Sequence, residues 1–582
     1  MKTYQMIIKM IKFRPWLFAG VFLLWSSFHI FFMVPGLVIR EFFNALDSRV
    51  NDMSVYYLFM IALAVVAVTH ILIVYIGQYI DQLHRFNMNC LLKENILDSI
   101  FKKPAGESLS CSNNEALTYF REDPSNVESV ISLTADAVGS LVCLTIMFII
   151  LIKINVTITL TVFMPMILIT FLIKAMRSRL QTVRKNSRNA SQQVTGMIGE
   201  LFNSILSVKV SNSEKYILKH MSGLNEDRRK VMLKDSMLNQ ILGVIYSGTV
   251  TLGTGIVLLI VSSLVKKQAF LIGDFSFLIF SLYTISNHTS FLGYYLTNYS
   301  QTKIALDRMK KISGDNSGHE LVKYRDVFIN RKIIDYKHNL PELTEKLLSL
   351  RIDNLSYSFN ESKFGIKNIS FEIEKGEFVV VTGRIGSGKT TLLKTIVGLF
   401  RHSEGTIYWN NTPVENHERF FVPPHSAYTP QLPGLFSDSV KNNILLGQDY
   451  DPPRFEEAIK SAVMEKDIND LTCGIETLIG TKGIKLSGGQ MQRTAAARMF
   501  IREAEIYLID DMSSALDVET EEQLWEGFFK QNKQTCIAVS HRKSTLKKAD
   551  KIIVLKNGQV EAIGKLNDLI DNCDEMRQLW NE

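Results

Sequence analysis

Six apolar segments, residues 17–39, 55–77, 133–152, 156–173, 243–265 and 275–300, constrain this chain more than any other feature. Each approaches the ~20 residues needed to cross a bilayer core. Apart from Asp136, none contains an Asp, Glu, Lys or Arg. In hydrocarbon every backbone N–H and C=O must be paired within the protein, so segments of this kind fold as helices. Only residues 153–155 separate the third from the fourth, which makes a tight hairpin. Residues 78–132 and 174–242 are long connections that carry most of the Lys and Arg of this half, including Arg177, Arg179, Arg184, Lys185 and Arg188. The positive-inside rule puts both connections and both termini in the cytosol. With few prolines in them, spans two to five are expected to continue into the cytosol as long helices.

Ahead of the first span, Tyr4, Ile7, Ile8 and Ile11 recur at helical spacing opposite Lys2, Gln5, Lys9 and Lys12. This predicts a short basic amphipathic helix in residues 1–16, lying in the membrane interface and broken at Arg14-Pro15. A cleaved signal peptide is the rival reading, but no small-residue cleavage site follows and further spans do. No protease domain precedes the first span, so leader-peptide cleavage is not expected of this chain.

The net charge of +7 clusters beside the apolar segments, which points to membrane orientation rather than nucleic-acid binding. The six cysteines, Cys90, Cys111, Cys143, Cys473, Cys536 and Cys573, lack metal-ligand spacing and read as isolated thiols. From residue 348 onward short β-rich runs alternate with helical stretches, the pattern of an α/β domain.

Within that second half, Phe378-Val379-Val380-Val381-Thr382 reads as a buried strand. It runs into Gly383-Arg384-Ile385-Gly386-Ser387-Gly388-Lys389-Thr390 and then a helix-forming segment from Thr391. The loop matches G-x-x-x-x-G-K-[ST] in its strand–loop–helix setting. Glycines let successive N–H groups turn around an anion, and the helix presents its positive end to it. Gly383, Arg384, Gly386, Ser387, Gly388, Lys389, Thr390 and Thr391 are thus expected to hold the phosphates of ATP. Lys389 would reach the β/γ-phosphates and the Thr390 hydroxyl would ligate Mg²⁺.

Further elements follow in a set order: Tyr428-Thr429-Pro430-Gln431, Leu486-Ser487-Gly488-Gly489-Gln490, Ile506-Tyr507-Leu508-Ile509-Asp510, Ser514-Ala515-Leu516-Asp517 and Val539-Ser540-His541-Arg542. With these the second half resembles the nucleotide-binding cassette of ABC transporters. With six spans in front, the chain resembles an exporter-type half-transporter over nearly its whole length. The resemblance implies a membrane α-helical bundle, six spans with long cytosolic extensions, plus an α/β P-loop NTPase cassette with a helical subdomain. The expected boundaries are an interfacial helix at 1–16, a transmembrane domain at 17–312, a linker at 313–347 and the cassette at 348–582.

The same resemblance implies roles. Phe359 would stack on adenine, with Tyr357 the rival position. Gln431 would ligate Mg²⁺ together with Thr390 and Asp510. Ser487, Gly488, Gly489 and Gln490 would bind the γ-phosphate of a nucleotide held by another cassette, toward which Asp517 would cross. His541 would contact the γ-phosphate. The position after Asp510, a glutamate in the family, is Asp511 here. One methylene shorter, it retreats by roughly 1 Å, and misplacement on that scale can cost about 10²-fold in rate. The run Thr477-Leu478-Ile479-Gly480-Thr481-Lys482-Gly483 also departs from the family's Glu-rich pattern before the signature, which is Leu486-Ser487-Gly488-Gly489-Gln490 here.

One phosphate loop and one signature imply pairing, as a homodimer or with a sister subunit. The expected function is ATP-driven efflux by alternating access, with docking turns near 105–118 and 199–214. An ATP-gated channel, or a weakly hydrolysing regulatory half of a heterodimer, is the alternative. A soluble ABC ATPase is excluded by the spans. The expected location is the bacterial cytoplasmic (inner) membrane, with termini and cassette cytosolic and no nucleic acid bound. Peptide, lipid and drug remain open as substrates. His29, His70, Asn287, His288 and Asn298 are the polar groups in the spans, each either helix–helix glue or a substrate contact.

Overall fold

The structure, a computed structural model, describes all residues except 49–51, 105–112, 158, 161–176, 266–270, 326–342, 344, 360–363, 481–485, 513–515, 530–533 and 582. It divides into two compact units, Met1–Ser99 with Cys111–Ile329, and Ile100–Ser110 with Asn330–Glu582.

Among its described residues the first unit contains helices and no strand. Among the described residues, three stretches are long and apolar enough to cross a membrane: Pro15–Asp47, Met53–Phe101 and Tyr119–Ile154. The fifth and sixth apolar segments lie in helices Glu214–Val265 and Ile272–Ser313. Most of the fourth, 156–173, lies outside the described residues. Met53–Phe101 has 49 residues, about 70 Å at 1.5 Å per residue, against a hydrocarbon core of ~30 Å. It must therefore continue well beyond a membrane.

Two expectations need correction. The first span is not one helix: Pro15–Phe31 is followed by a separate helix, Val34–Asp47, with Pro35 in its first turn. Proline has no N–H to continue the preceding ladder but suits a helix start. The amphipathic helix exists as Thr3–Phe13, yet it buries Met6, Ile7, Met10 and Phe13 while Tyr4 and Ile8 are about half exposed. That face packs on the protein. The Met1 amino group donates to Ser317 O at 2.6 Å, and Lys9 Nζ lies 3.1 Å from His319 Nδ1.

Of the polar span residues, His29 Nε2 is 3.3 Å from Asp136 Oδ1, and Ser140 Oγ is 3.1 Å from His288 Nδ1. Asn298 donates to Tyr294 O on its own helix, His70 packs on Phe28, and Asn287 is exposed. The turn expected at 199–214 contains a short helix, Ile205–Val210, with Leu206 and Val210 exposed. The other, at 105–118, lies largely outside the described residues.

The second unit has two sheets. An antiparallel sheet runs β2-β1-β4-β5, from β1 (Ser349–Ser358), β2 (Gly365–Glu374), β4 (Glu404–Trp409) and β5 (Thr412–Pro413). A six-stranded sheet runs β10-β9-β3-β8-β7-β6, from β3 (Phe378–Thr382), β6 (Ser426–Thr429), β7 (Ile506–Asp510), β8 (Thr535–Val539), β9 (Lys551–Lys556) and β10 (Gln559–Gly564). All its neighbouring strands pair in parallel except β10 on β9. Every residue of β3 is buried, because the strand feeds two cores. Phe378 and Val380 join the core that holds Trp525 and Phe528. Val379 and Val381 point the other way, into the core shared with Leu350 and Ile352 of β1. Period-2 alternation with both faces covered explains the unbroken apolar run.

Candidate active site at the carboxyl edge of the sheet

The order β3-β8-β7-β6 sets four chain segments side by side at the carboxyl ends of parallel strands, where open α/β sheets bind ligands. The glycine-rich loop leaves β3, His541 follows β8, Asp510 ends β7 with Asp511 after it, and Gln431 follows β6.

Gly383, Gly386 and Gly388 have φ of +143°, +84° and +100°. At Gly383 a Cβ would sit 2.2 Å from Leu555 O, so only glycine fits this turn. Helix Lys389–Ile396 starts directly after Gly388. Lys389 is buried, and its Nζ donates to Gly383 O at 2.7 Å and Arg384 O at 2.8 Å. Burial pushes its pKa down, opposed by the charges of Asp511 and Asp510.

Thr390 Oγ1 donates to Asp510 Oδ1 at 2.9 Å. Asp510 is 1% exposed, and burial pushes its carboxyl above the ordinary value against that hydrogen bond. Among the described residues its Oδ2, and Ser387 Oγ in the loop, are buried without a hydrogen-bond partner. Gln431 Nε2 donates to Asp511 Oδ2 at 3.0 Å. Burial pushes Asp511 up too, with the Gln431 bond opposing. Asp511 has φ +47°, and its N–H donates to Val539 O at 3.2 Å, so β8 fixes its backbone. Desolvation, then the Lys389 charge, holds the His541 imidazole below its ordinary value.

A glycine cradle at a helix start, a lysine resting on the loop's own carbonyls, and an unpaired oxygen on a buried carboxylate fit a nucleotide's phosphates with a divalent cation.

The other expected residues sit apart. Ser487 caps helix Gly488–Phe500 in a reciprocal box: Gln490 N donates to Ser487 Oγ at 3.3 Å and Ser487 N to Gln490 Oε1 at 2.9 Å. Gln490 Nε2 also donates to Asp467, which Arg493 holds from two nitrogens at 2.6 and 2.8 Å. Among the described residues no hydrogen bond joins Ser487, Gly488, Gly489 or Gln490 to the phosphate loop. Asp517 caps helix Val518–Phe529 by accepting from Thr520 N at 2.7 Å and Thr520 Oγ1 at 3.0 Å. Thr391 follows Thr390 within helix Lys389–Ile396. Phe359 is 40% exposed just past β1, whereas Tyr357 lies face to face with Phe400, centroids 4.8 Å apart. Ser514 and Ala515 lie outside the described residues.

Two groups escape a motif reading. Arg542, next to His541, donates to Glu521 Oε2 at 2.8 Å and to Leu516 O at 2.6 Å, tying the segment after β8 to the chain around Asp517. Glu521 is 1% exposed and also accepts from Thr545 Oγ1 at 2.8 Å. Arg384 turns toward a helix at the C-terminus and pairs with Glu575. An acidic residue at helix position four, Val518-Glu519-Thr520-Glu521, was the only local sign of the first; the second has none.

A phosphate loop at the edge of a parallel sheet, with a carboxylate ending a neighbouring strand, defines a P-loop nucleotide-binding protein. Residues 366–514 match the ABC transporter family and residues 18–288 its transmembrane region. The chain belongs to the ABC transporters, with both parts fused in one integral membrane polypeptide. It is 27% identical over 414 residues to the multidrug resistance-like ATP-binding protein MdlA of Buchnera aphidicola, covering 71% of this chain and 69% of that one. It is 36% identical over 243 residues to an export ATP-binding/permease protein of Rickettsia typhi, covering 40% of this chain and 42% of that one. The ATP-dependent lipid A-core flippase of Pseudomonas aeruginosa is 36% identical over 225 residues, 38% of this chain and 37% of the flippase. The chain thus spans about two fifths of the length of the first curated relatives it matches. Its fold is that of a bacterial Atm1-family ABC exporter solved with ATP bound, with a TM-score of 0.80 over 98% of both chains at 19% identity.

Proposed function

We propose that this chain is the half-subunit of an ATP-driven exporter that works as a dimer in the bacterial cytoplasmic membrane, with both termini and the cassette cytosolic. The observation that carries the reading is the row of groups along one sheet edge: Lys389 in the loop, Thr390 bonded to Asp510, and Gln431 bonded to Asp511. The loop glycines and Lys389 bind and orient the phosphates of ATP, and Phe359, the more open aromatic, takes the adenine. Thr390, Asp510 and Gln431 would hold Mg²⁺, which supplies charge neutralisation and polarisation of phosphoryl oxygens when bound. Asp511 orients the attacking water and accepts its proton, and the neutral His541 imidazole meets the γ-phosphate.

Ser487, Gly488, Gly489 and Gln490 serve the nucleotide of a second copy, with Asp517 beside them, because one chain carries a single loop and a single signature. The exported molecule is a lipid, peptide or drug; the names of the multidrug-resistance-like and lipid A-core relatives favour an amphipathic one. A weakly hydrolysing regulatory half is the second reading, and Asp511, short by a methylene, is the residue that favours it.

The test is ATP hydrolysis and uptake of amphipathic probes into inverted proteoliposomes. Parent protein should do both, and Lys389→Ala neither. Uptake unaffected by Lys389→Ala would overturn the exporter reading.

A further inference from the structure

The phosphate loop is tied to the C-terminal end of the chain. Arg384 lies between the first two glycines of the loop, and its Nε is 2.8 Å from Glu575 Oε1. A second guanidinium nitrogen donates to Gln578, on the same helix, Asp574–Asn581. Glu575 is only 4% exposed, and its other oxygen pairs with Lys556 Nζ at 3.3 Å, at the end of β9. The turn after β9 touches the loop as well, since Gly558 N donates to Ser387 O at 3.1 Å. One buried carboxylate thus fastens the loop to the hairpin that supports it. The same helix places Trp580 5.6 Å from Lys543 Nζ, two residues beyond His541.

The tether bears on nucleotide binding through the backbone. The Arg384 carbonyl is one of the two that hold Lys389 Nζ. A glycine-rich loop has much conformational freedom to lose when it closes around an anion. Anchoring the Arg384 side chain removes part of that freedom beforehand, and preorganisation of this kind favours binding.

We propose that Glu575 is a positioning residue for nucleotide binding, and that helix Asp574–Asn581 is a clip holding the phosphate loop in its binding shape through Arg384. The proposal rests on the ATP reading above. The clip acts before chemistry, so its loss weakens binding and spares turnover at saturation. The groups aligned with the γ-phosphate, Asp510, Asp511 and Gln431, do not touch it.

The experiment uses full-length protein in lipid nanodiscs, measuring MgATP hydrolysis and the binding of a fluorescent ATP analogue. Parent, Glu575→Gln, Arg384→Ala and the double variant are compared. Each single variant should raise KM and the analogue's Kd about fivefold with kcat within about twofold, the pattern of lost uniform binding. The double variant should match Arg384→Ala, because both changes cut one tether. Unchanged KM in Glu575→Gln, or additive losses in the double variant, would overturn the clip. So would a fall in kcat as large as that in kcat/KM. Arg384 itself belongs to the phosphate loop, so a failure of Glu575→Gln to fold leaves Gln578→Ala, an exposed change on the clip helix that cuts the same tether, as the deciding variant, with a rise in KM and Kd expected and no change overturning the clip. A parent that binds no MgATP overturns the ATP reading and the clip together; one that binds it while the variants match overturns the clip alone.

Discussion

Gln431 Nε2 sits 3.0 Å from Asp511 Oδ2, so the segment after β6 holds the carboxylate that follows β7. This bond offsets some of the reach lost with the shorter side chain, because it fixes where the carboxylate points. ATPase should therefore be measurable in the parent and fall at least tenfold in Asp511→Asn, which loses the charge at nearly constant shape. Asp511→Glu should hold or raise the rate. Turnover of the three proteins in lipid at saturating MgATP decides it. Equal rates in Asp511→Asn and parent would remove Asp511 as the base.

What was legible in the sequence followed from local rules. The strand into the phosphate loop shows because β3 is buried on both faces and the glycines follow at once. Asp510 shows because β7 is equally apolar up to its last residue. The pairing of Glu575 with both Arg384 and Lys556 joins residues far apart in the chain, and no periodicity announces it. The amphipathic start of the chain was legible as a helix but not in its buried face. Of the stripe Tyr4, Ile7, Ile8 and Ile11 only Ile7 is buried, and Met6, Met10 and Phe13 join it against the protein, Met6 beside Gly318 and Phe13 on Tyr324. Pro35 marked the break in the first span, yet the apolar run around it hid the boundary.

Arg542 and Glu521 predict a structural effect beside a catalytic one. Glu521→Ala leaves the guanidinium and the Thr545 hydroxyl without their buried partner, and breaking such a pair costs about 3–5 kcal/mol. At roughly 2–4 °C per kcal/mol for a unit of this size, the cassette transition should drop by about 10 °C in a thermal scan of the full-length protein. The Arg542 charge also holds Asp511 down. Arg542→Met should therefore move the acid limb of the ATPase pH profile to higher pH. A limb that stays in place would separate Arg542 from Asp511.

His417 predicts acid sensitivity of the cassette. It is 6% exposed, its ring stacks on His402 with centroids 4.4 Å apart, and burial with that neighbour pushes it down to about 4. In the unfolded chain it titrates near 6.5, so between those values the unfolded state binds the extra proton and stability rises with pH. The contribution is complete above about pH 6.5 and fades as pH falls toward 4. At pH 5 the loss should be about 2 kcal/mol. His417→Phe should flatten the dependence of the melting temperature on pH between 7 and 5. An unchanged slope would show that other groups govern it.

The last prediction concerns pairing. Ser487 caps the helix that starts at Gly488, and with Gly488 it is exposed; among the described residues no hydrogen bond joins this helix end to the phosphate loop of its own chain. Such an end can accept an anion presented by another molecule. The loop has a complementary lack: among the described residues Ser387 Oγ is buried without a hydrogen-bond partner. In a protein cleared of its native cysteines, Ser487→Cys on one copy and Ser387→Cys on another should therefore crosslink when MgATP is added. Mixed copies, each carrying one of the two changes, make the bond intermolecular by construction. The dimer band should need nucleotide and vanish with Lys389→Ala. A purified chain that hydrolyses ATP at full rate as a monomer would refute pairing. Crosslinking only after co-expression with a sister subunit would make the working unit a heterodimer.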